Sequence, residues 1–302
     1  MKRCRVVIEI GTHSGWVAEL LTGLGHEVLV ANARRLRLIA ESNTKSDERD
    51  AELLARLGKA DPKLLSPVTL RSQSTYLDLM VIRSRDALVR CRTLMVNTIR
   101  GLMKAAGERL PACTPEGLPK KRAAVPEALR PALDPLFDQV EALSKQIASL
   151  DEVIEKLADA KYPETKVLTP IAGVGTLTAL AFALTLEDPK RFKRSRQVGA
   201  FLGLQPKQRQ SGARNPELRI TKSGDDYLRR LLVGSANHIL RRNGTESDLR
   251  TWGLGLAVRG GKAAKSRSKV AVARKLAVLM HRLLVTGEIY EAVGYREAKD
   301  AA

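Results

Sequence analysis

Cysteine, histidine and aromatic residues are scarce in this chain. The three cysteines, Cys4, Cys91 and Cys113, show no CxxC spacing and leave an odd count. That argues against a disulfide framework or a zinc site and fits a reducing compartment. Four histidines, His13, His26, His238 and His281, are scattered and make no ligand pair or triad. Phe, Trp and Tyr together are 4% of residues, too few for aromatic platforms to dominate nucleic-acid binding. The opening Met1-Lys2-Arg3-Cys4 is basic but lacks the apolar region of a signal peptide. Long hydrophobic runs are also missing, with one stretch to weigh. Residues 167–186 are mostly apolar and about long enough to span a bilayer. Pro170, Gly173 and Gly175 near its start read better as a turn between helices, so no membrane partner is expected.

Positive charge is what the chain has in excess. Lys and Arg number 52 against 33 Asp and Glu, giving +19 and a pI of about 10.2. The excess points to a polyanionic partner, with a membrane surface the weaker alternative. At 302 residues and 44% hydrophobic, the chain has enough apolar mass for real cores, and two domains are the prior.

The pattern predicts a strand over residues 5–10, a helix over 15–25 with Val17, Leu20, Leu21 and Leu24 on one face, and a second strand over 26–31. That order implies parallel strands with a crossover. A basic loop then leads into a helix carrying Asp47 and Asp50. A long helix is expected over 71–106, and a Pro-rich connector over 110–135. Leu136, Val140, Leu143, Ile147, Leu150, Ile154 and Leu157 then alternate steps of four and three, a heptad seam. The two long helices could pair within one chain or between chains.

From Lys166 the character changes. Ile171-Ala172-Gly173-Val174-Gly175 resembles the turn of a helix–hairpin–helix unit, where backbone N–H groups hold a phosphate. A tight turn between helices is the alternative, and the third glycine of a dinucleotide fingerprint is missing. Basic residues recur through Lys190–Arg196, Lys207, Arg209, Arg214, Arg229, Arg230, Arg241, Arg242 and 262–275. Such a recurrence favours a binding surface over a merely solvated face.

Two constellations could carry chemistry. Asp47 and Asp50, three residues apart on a helix, share a face, and Glu9 stands near the end of the first strand. Carboxylate oxygens suit Mg²⁺, and metal-held carboxylates support phosphodiester cleavage. The alternative is structural: Asp47 as an N-cap, with Asp50 complementing the helix dipole. Ser211, in Ser211-Gly212, reads as a turn or as a nucleophile in a cationic loop among Lys207, Arg209, Arg214, Arg219 and Lys222. Ser223 is a competitor of the same type, better read as the cap of a helix starting near Asp225.

Taken in order, these residues resemble the transposases of insertion-sequence family 110, the DEDD or bridge-RNA-guided recombinase type. The resemblance runs along nearly the whole chain. It includes Glu9, Gly25-His26-Glu27-Val28, Lys45-Ser46-Asp47-Glu48-Arg49-Asp50-Ala51 and Arg92-Thr93-Leu94-Met95-Val96-Asn97. It continues through Ile171-Ala172-Gly173-Val174-Gly175, Gly199-Ala200-Phe201-Leu202-Gly203-Leu204-Gln205-Pro206, Ser211-Gly212 and Ile220-Thr221-Lys222-Ser223-Gly224, and closes on Ala271-Val272-Ala273-Arg274-Lys275-Leu276.

The resemblance implies an α/β plus α architecture. Residues 1–66 would be a partial RNase H-like (RuvC-like) catalytic domain, 67–165 long helices forming a coiled-coil arm, and 166–302 a mainly helical transposase domain with a helix–hairpin–helix-like turn. It implies Mg²⁺ on Glu9, Asp47 and Asp50, matching the second to fourth members of the Asp-Glu-Asp-Asp set, and a covalent DNA link at Ser211. Gly173, Gly175, Lys207, Arg209, Arg214, Lys222 and Arg229 would bind nucleic acid. DNA, a structured guide RNA and further copies of the chain, as dimer or tetramer, are the implied partners, and the bacterial cytoplasm with its nucleoid the implied location. Family members carry more chain before the Glu-bearing strand, including the strand with the first Asp. The implied function is DNA transposition by strand cleavage and rejoining, in a truncated or mis-started member whose missing ligand leaves an inactive short chain as the alternative. The competing readings are a RuvC-like junction nuclease and a nucleic-acid-binding remnant without catalysis.

Overall fold

The computed structural model describes residues 2–32, 46–210, 216, 218–261 and 263–294. Most of it is helical, and the chain divides into two compact units, Met1–Leu77 and Asp78–Ala302.

In the first unit, strand β1 (Arg5–Glu9) pairs in parallel with β2 (Glu27–Ala31), from Arg5 opposite Glu27 to Glu9 opposite Ala31. Helix α1 (Ser14–Gly23) makes the crossover that parallel strands require. The expected apolar face of α1 is only half used. Val17 and Leu21 are half-buried, whereas Leu20 and Leu24 are 54% and 62% exposed. The two strands among the described residues are too narrow to cover the whole stripe. Helix α2 (Asp47–Ala60) begins at Ser46, whose side chain accepts a hydrogen bond from the Arg49 amide. That cap satisfies one of the first-turn amides left open at a helix start. Gly58 lets α2 press onto β1, because a Cβ there would stand 2.5 Å from Val7 Cγ2. Ala31, Leu54 and Leu65 form the small core beneath.

In the second unit, α3 (Gln73–Ala105) continues from the first and runs antiparallel to α4 (Arg130–Lys161). Polar rungs mark the pairing: Tyr162 donates to Asp78 at 2.5 Å, Arg85 Nη2 to Asp151 at 3.1 Å, and Arg92 to Ser144 at 3.2 Å. Val96, Ile99 and Met103 pack against Leu133, Phe137 and Val140. Along the expected seam, Val140, Ile147 and Ile154 are buried, while Leu136, Leu143, Leu150 and Leu157 are half-buried. These two helices therefore pair within one chain. Helix α4 starts at Arg130, six residues before Leu136, where the expected seam begins. Pro131 falls in its first turn, where the missing N–H would lack a partner anyway. Pro135 lies inside the helix at the expense of one backbone hydrogen bond.

The remaining helices are α5 (Thr176–Leu186), α6 (Arg196–Phe201), α7 (Asp226–Ile239), α8 (Asp248–Val258) and α9 (Ala264–Thr286). Every residue of α5 from Thr178 to Leu186 is buried. A helix apolar on all sides belongs in the middle of a core, which explains the apolar run of 167–186. Among the described residues, no helix is long and apolar enough to cross a membrane.

Candidate catalytic hairpin and carboxylates

Between α6 and α7 the chain leaves the core at Leu202 and returns at Ser223. Its two arms pair at the base. Lys207 donates to the Arg219 carbonyl at 2.9 Å, Thr221 to that of Gln205 at 2.8 Å, and Lys222 to that of Gly203 at 3.0 Å. Pro206 and Ile220 face each other across the antiparallel bridge. Gly203 and Gly224, at φ 68° and 80°, are required at this base. A Cβ on Gly203 would stand 2.1 Å from the Ser223 carbonyl oxygen.

Arg229 ties the two arms together from below. Its Nη1 donates to the Leu202 carbonyl at 3.0 Å and the Ser223 carbonyl at 3.1 Å, and its Nη2 to Asp226 at 2.8 Å. The side chain is buried and bonded to both arms, so it braces the hairpin. Asp225 caps α7 by accepting from the Leu228 amide at 2.8 Å. The cap is thus Asp225, not Ser223, whose hydroxyl lies 3.1 Å from that of Thr221.

Helix α3 supplies the outer brace. Asp225 pairs with Arg83, and buried Asp86 receives a two-pronged contact from Arg230 at 3.0 and 3.3 Å. Tyr227 lies between these pairs, with the Arg83 and Arg230 guanidiniums 5.1 and 5.3 Å from its ring centroid. Burial pushes the Tyr227 phenol above its ordinary range, reinforced by the charge of Asp86. Sequence reasoning missed Asp86, Asp225 and Tyr227. The available signal was Asp86 itself, a carboxylate in register with the buried stripe of Leu79 and Ile82.

Lys207, Arg209 and Lys222 are exposed on the hairpin arms. Ser211 and Arg214 lie outside the described residues. Gly173 has φ 82°, and a Cβ there would stand 3.0 Å from the Ser235 carbonyl oxygen, so its turn is packed against α7. Gly175 begins α5 with no side-chain cap and with open space around it.

In the first unit, Glu9 ends β1, while Asp47 and Asp50 lie in the first turn of α2, which packs on that strand. Carboxylate oxygens are the ligand type that Mg²⁺ takes. Their convergence does not match: among the described residues, no three of His, Cys, Asp or Glu gather closely enough to hold a metal ion. The donor chemistry fits the cation, and the arrangement of these three does not close around one.

Comparison with known proteins adds the lineage. A DEDD transposase model of the IS110 type matches residues 1–107, and a model described as transposase IS116/IS110/IS902 family matches residues 165–250. A putative transposase y4pF/y4sB of Sinorhizobium fredii is 33% identical over 93% of this chain and 72% of its own length. A probable family 20 transposase of Pseudomonas aeruginosa is 30% identical over 93% and 84%. The transposase for insertion sequence element IS1111A of Coxiella burnetii is 29% identical over 95% and 79%.

Proposed function

The chain belongs to the IS116/IS110/IS902 family of transposases, and from that premise we propose that it moves an insertion sequence by cutting and rejoining DNA, with Ser211 as nucleophile. The observation that carries this reading is the hairpin base. A loop that only connected two helices would not need two glycines in contact with opposing backbone, an arginine bridging both arms and ion pairs from α3. Holding a reacting group in fixed geometry does need such bracing.

The chemistry proposed at Ser211 conserves phosphoester bonds. The hydroxyl oxygen attacks a backbone phosphorus, losing its proton as the new O–P bond forms. The bond from phosphorus to one neighbouring sugar oxygen breaks, and that oxygen leaves as a hydroxyl after taking a proton. A sugar hydroxyl on another strand then reverses the step and reseals the backbone. Lys207, Arg209, Arg214 and Lys222 offset the charge that develops on the phosphoryl oxygens. Gly175, at the uncapped start of α5, offers amide donors to a neighbouring phosphate, with Gly173 setting the turn as in a helix–hairpin–helix unit.

The first unit is read as RNase H-like, with Glu9, Asp47 and Asp50 as Mg²⁺ ligands. That reading rests on residue type and family order, and no step here runs through the metal. The α3–α4 pair is read as the coiled-coil arm. The proposed domains are 1–66, 67–165 and 166–302, and the proposed partners are DNA, a structured guide RNA and further copies of the chain in the bacterial cytoplasm. The test is a transposition assay paired with RNA binding. Ser211→Ala and Asp47→Ala are each expected to abolish transposition and spare RNA binding; loss of RNA binding would make the residue structural. A second reading, nucleic-acid binding without cleavage, is favoured by one observation: the three carboxylates do not converge.

A further inference from the structure

A groove in the C-terminal unit shares only Lys222 with the residues given a role in the proposed function. It lies between the base of the hairpin, α8, α9 and the segment that follows α9, and encloses about 1480 Å³. Helix α9 has two faces. Val272, Leu276, Met280 and Leu283 point into the core. Arg267, Val270, Ala271, Arg274 and Val278 line the groove, at the three- and four-residue steps that make one continuous stripe. The opposite wall brings Leu204, Pro206, Arg219, Ile220 and Lys222 from the hairpin base.

Charge in the groove is one-sided. Seven basic side chains line it against Asp248 and Glu291. Several of them are also engaged locally: the Lys275 ammonium stands 4.0 Å from the Trp252 ring centroid, Arg282 pairs with Glu288 at 3.5 Å, and Arg267 Nη2 donates to the Gly260 carbonyl at 3.5 Å. Cations crowded over a low-dielectric floor repel one another and focus a positive potential into the cleft. A chain of phosphates relieves that repulsion. The floor identifies the polymer further. Leu249, Leu256, Val278 and Leu279 are aliphatic. A duplex turns its phosphates and sugars outward and has nothing apolar to offer such a floor. Unpaired bases expose apolar faces and gain from covering them.

We propose that this groove holds a single-stranded phosphodiester chain along the root of the hairpin, with phosphates on Arg196, Arg219, Lys222, Arg267 and Arg274 and unpaired bases on the aliphatic floor. The choice of polymer rests on the transposase reading; the groove itself does not depend on Ser211 being the nucleophile.

Fluorescence anisotropy of the full chain with an oligothymidylate, an oligouridylate and a duplex of matching length, between about 50 and 200 mM KCl, tests it. The single strands bind, and the plot of log K against log[KCl] becomes shallower by about 1.4 in R267Q/R274Q, about 0.7 for each lost phosphate contact. The opposite-wall variant R219Q/K222Q gives the same change, which guards against misfolding of either pair. K145Q/K156Q, on the exposed side of α4 and away from the groove, leaves the slope unchanged. Tighter binding of oligothymidylate assigns the groove to a DNA strand, and of oligouridylate to RNA. Unchanged slopes in both groove variants, an equal loss in K145Q/K156Q, or equal loss on the duplex would overturn the proposal. A covalent-adduct assay at Ser211 reports on the transposase reading separately, so either can fail alone.

Discussion

The backbone of Gly224 approaches Phe201 so closely that a Cβ on Gly224 would stand 2.1 Å from the Phe201 carbonyl oxygen. Gly224 is also at φ 80°, a conformation that side chains resist. The strand returning from the hairpin is therefore locked onto the end of α6 by an absent side chain. Gly224→Ala is expected to cost at least about 1–3 kcal/mol from the backbone conformation alone. Urea unfolding measures the loss, and hydrogen exchange should show it first in the amides of Thr221 and Lys222. An alanine variant as stable as the parent would mean that this contact does not hold the hairpin.

Tyr227 links stability to pH at the alkaline end. Burial raises its folded-state phenol above the unfolded value of about 10. Below that value both states hold the proton, and the contribution is fully present. As pH rises further the unfolded chain releases its proton first, so stability is lost through the folded value. Tyr227→Phe should flatten part of the fall in stability above about pH 10. Tyr162 and Tyr290, also raised chiefly by burial, keep the remainder. An unaltered slope in the variant would contradict the placement of Tyr227 between α3 and α7.

Asp47 and Asp50 separate a structural role from a chemical one. In the first turn of α2 they complement the helix dipole, worth about 0.3–1 kcal/mol each at an exposed end. Ser46, not Asp47, caps that helix. Asp50→Asn should therefore change the unfolding midpoint little while removing transposition. Large destabilisation with transposition retained would assign the residue to the fold.

The first unit was largely legible in the sequence. The Val6-Val7-Ile8 run, the intervening helix and the Val28–Val30 run yield parallel pairing because a crossover permits nothing else, and α2 starts at the residue after Ser46. The heptad period of α4 was legible, but its partner was not, since a seam of leucines and isoleucines fits any apolar stripe. The partner is set by rungs that join distant residues, Asp78 with Tyr162 and Arg85 with Asp151. The hairpin base was least legible. Arg229 looks like one more basic residue on a basic helix, yet it is buried against two carbonyls. Only the closure of Leu202 onto Ser223, two positions far apart in sequence, creates that demand.

The central claim is that a serine in the hairpin becomes joined to DNA. The direct measurement is to incubate the full chain with DNA carrying the ends of its element, digest both polymers and map any nucleotide-modified peptide by mass spectrometry. The account predicts a phosphodiester adduct on the peptide containing Ser211, absent in Ser211→Ala. Strand transfer that persists in Ser211→Ala, or an adduct on a different residue, would contradict it.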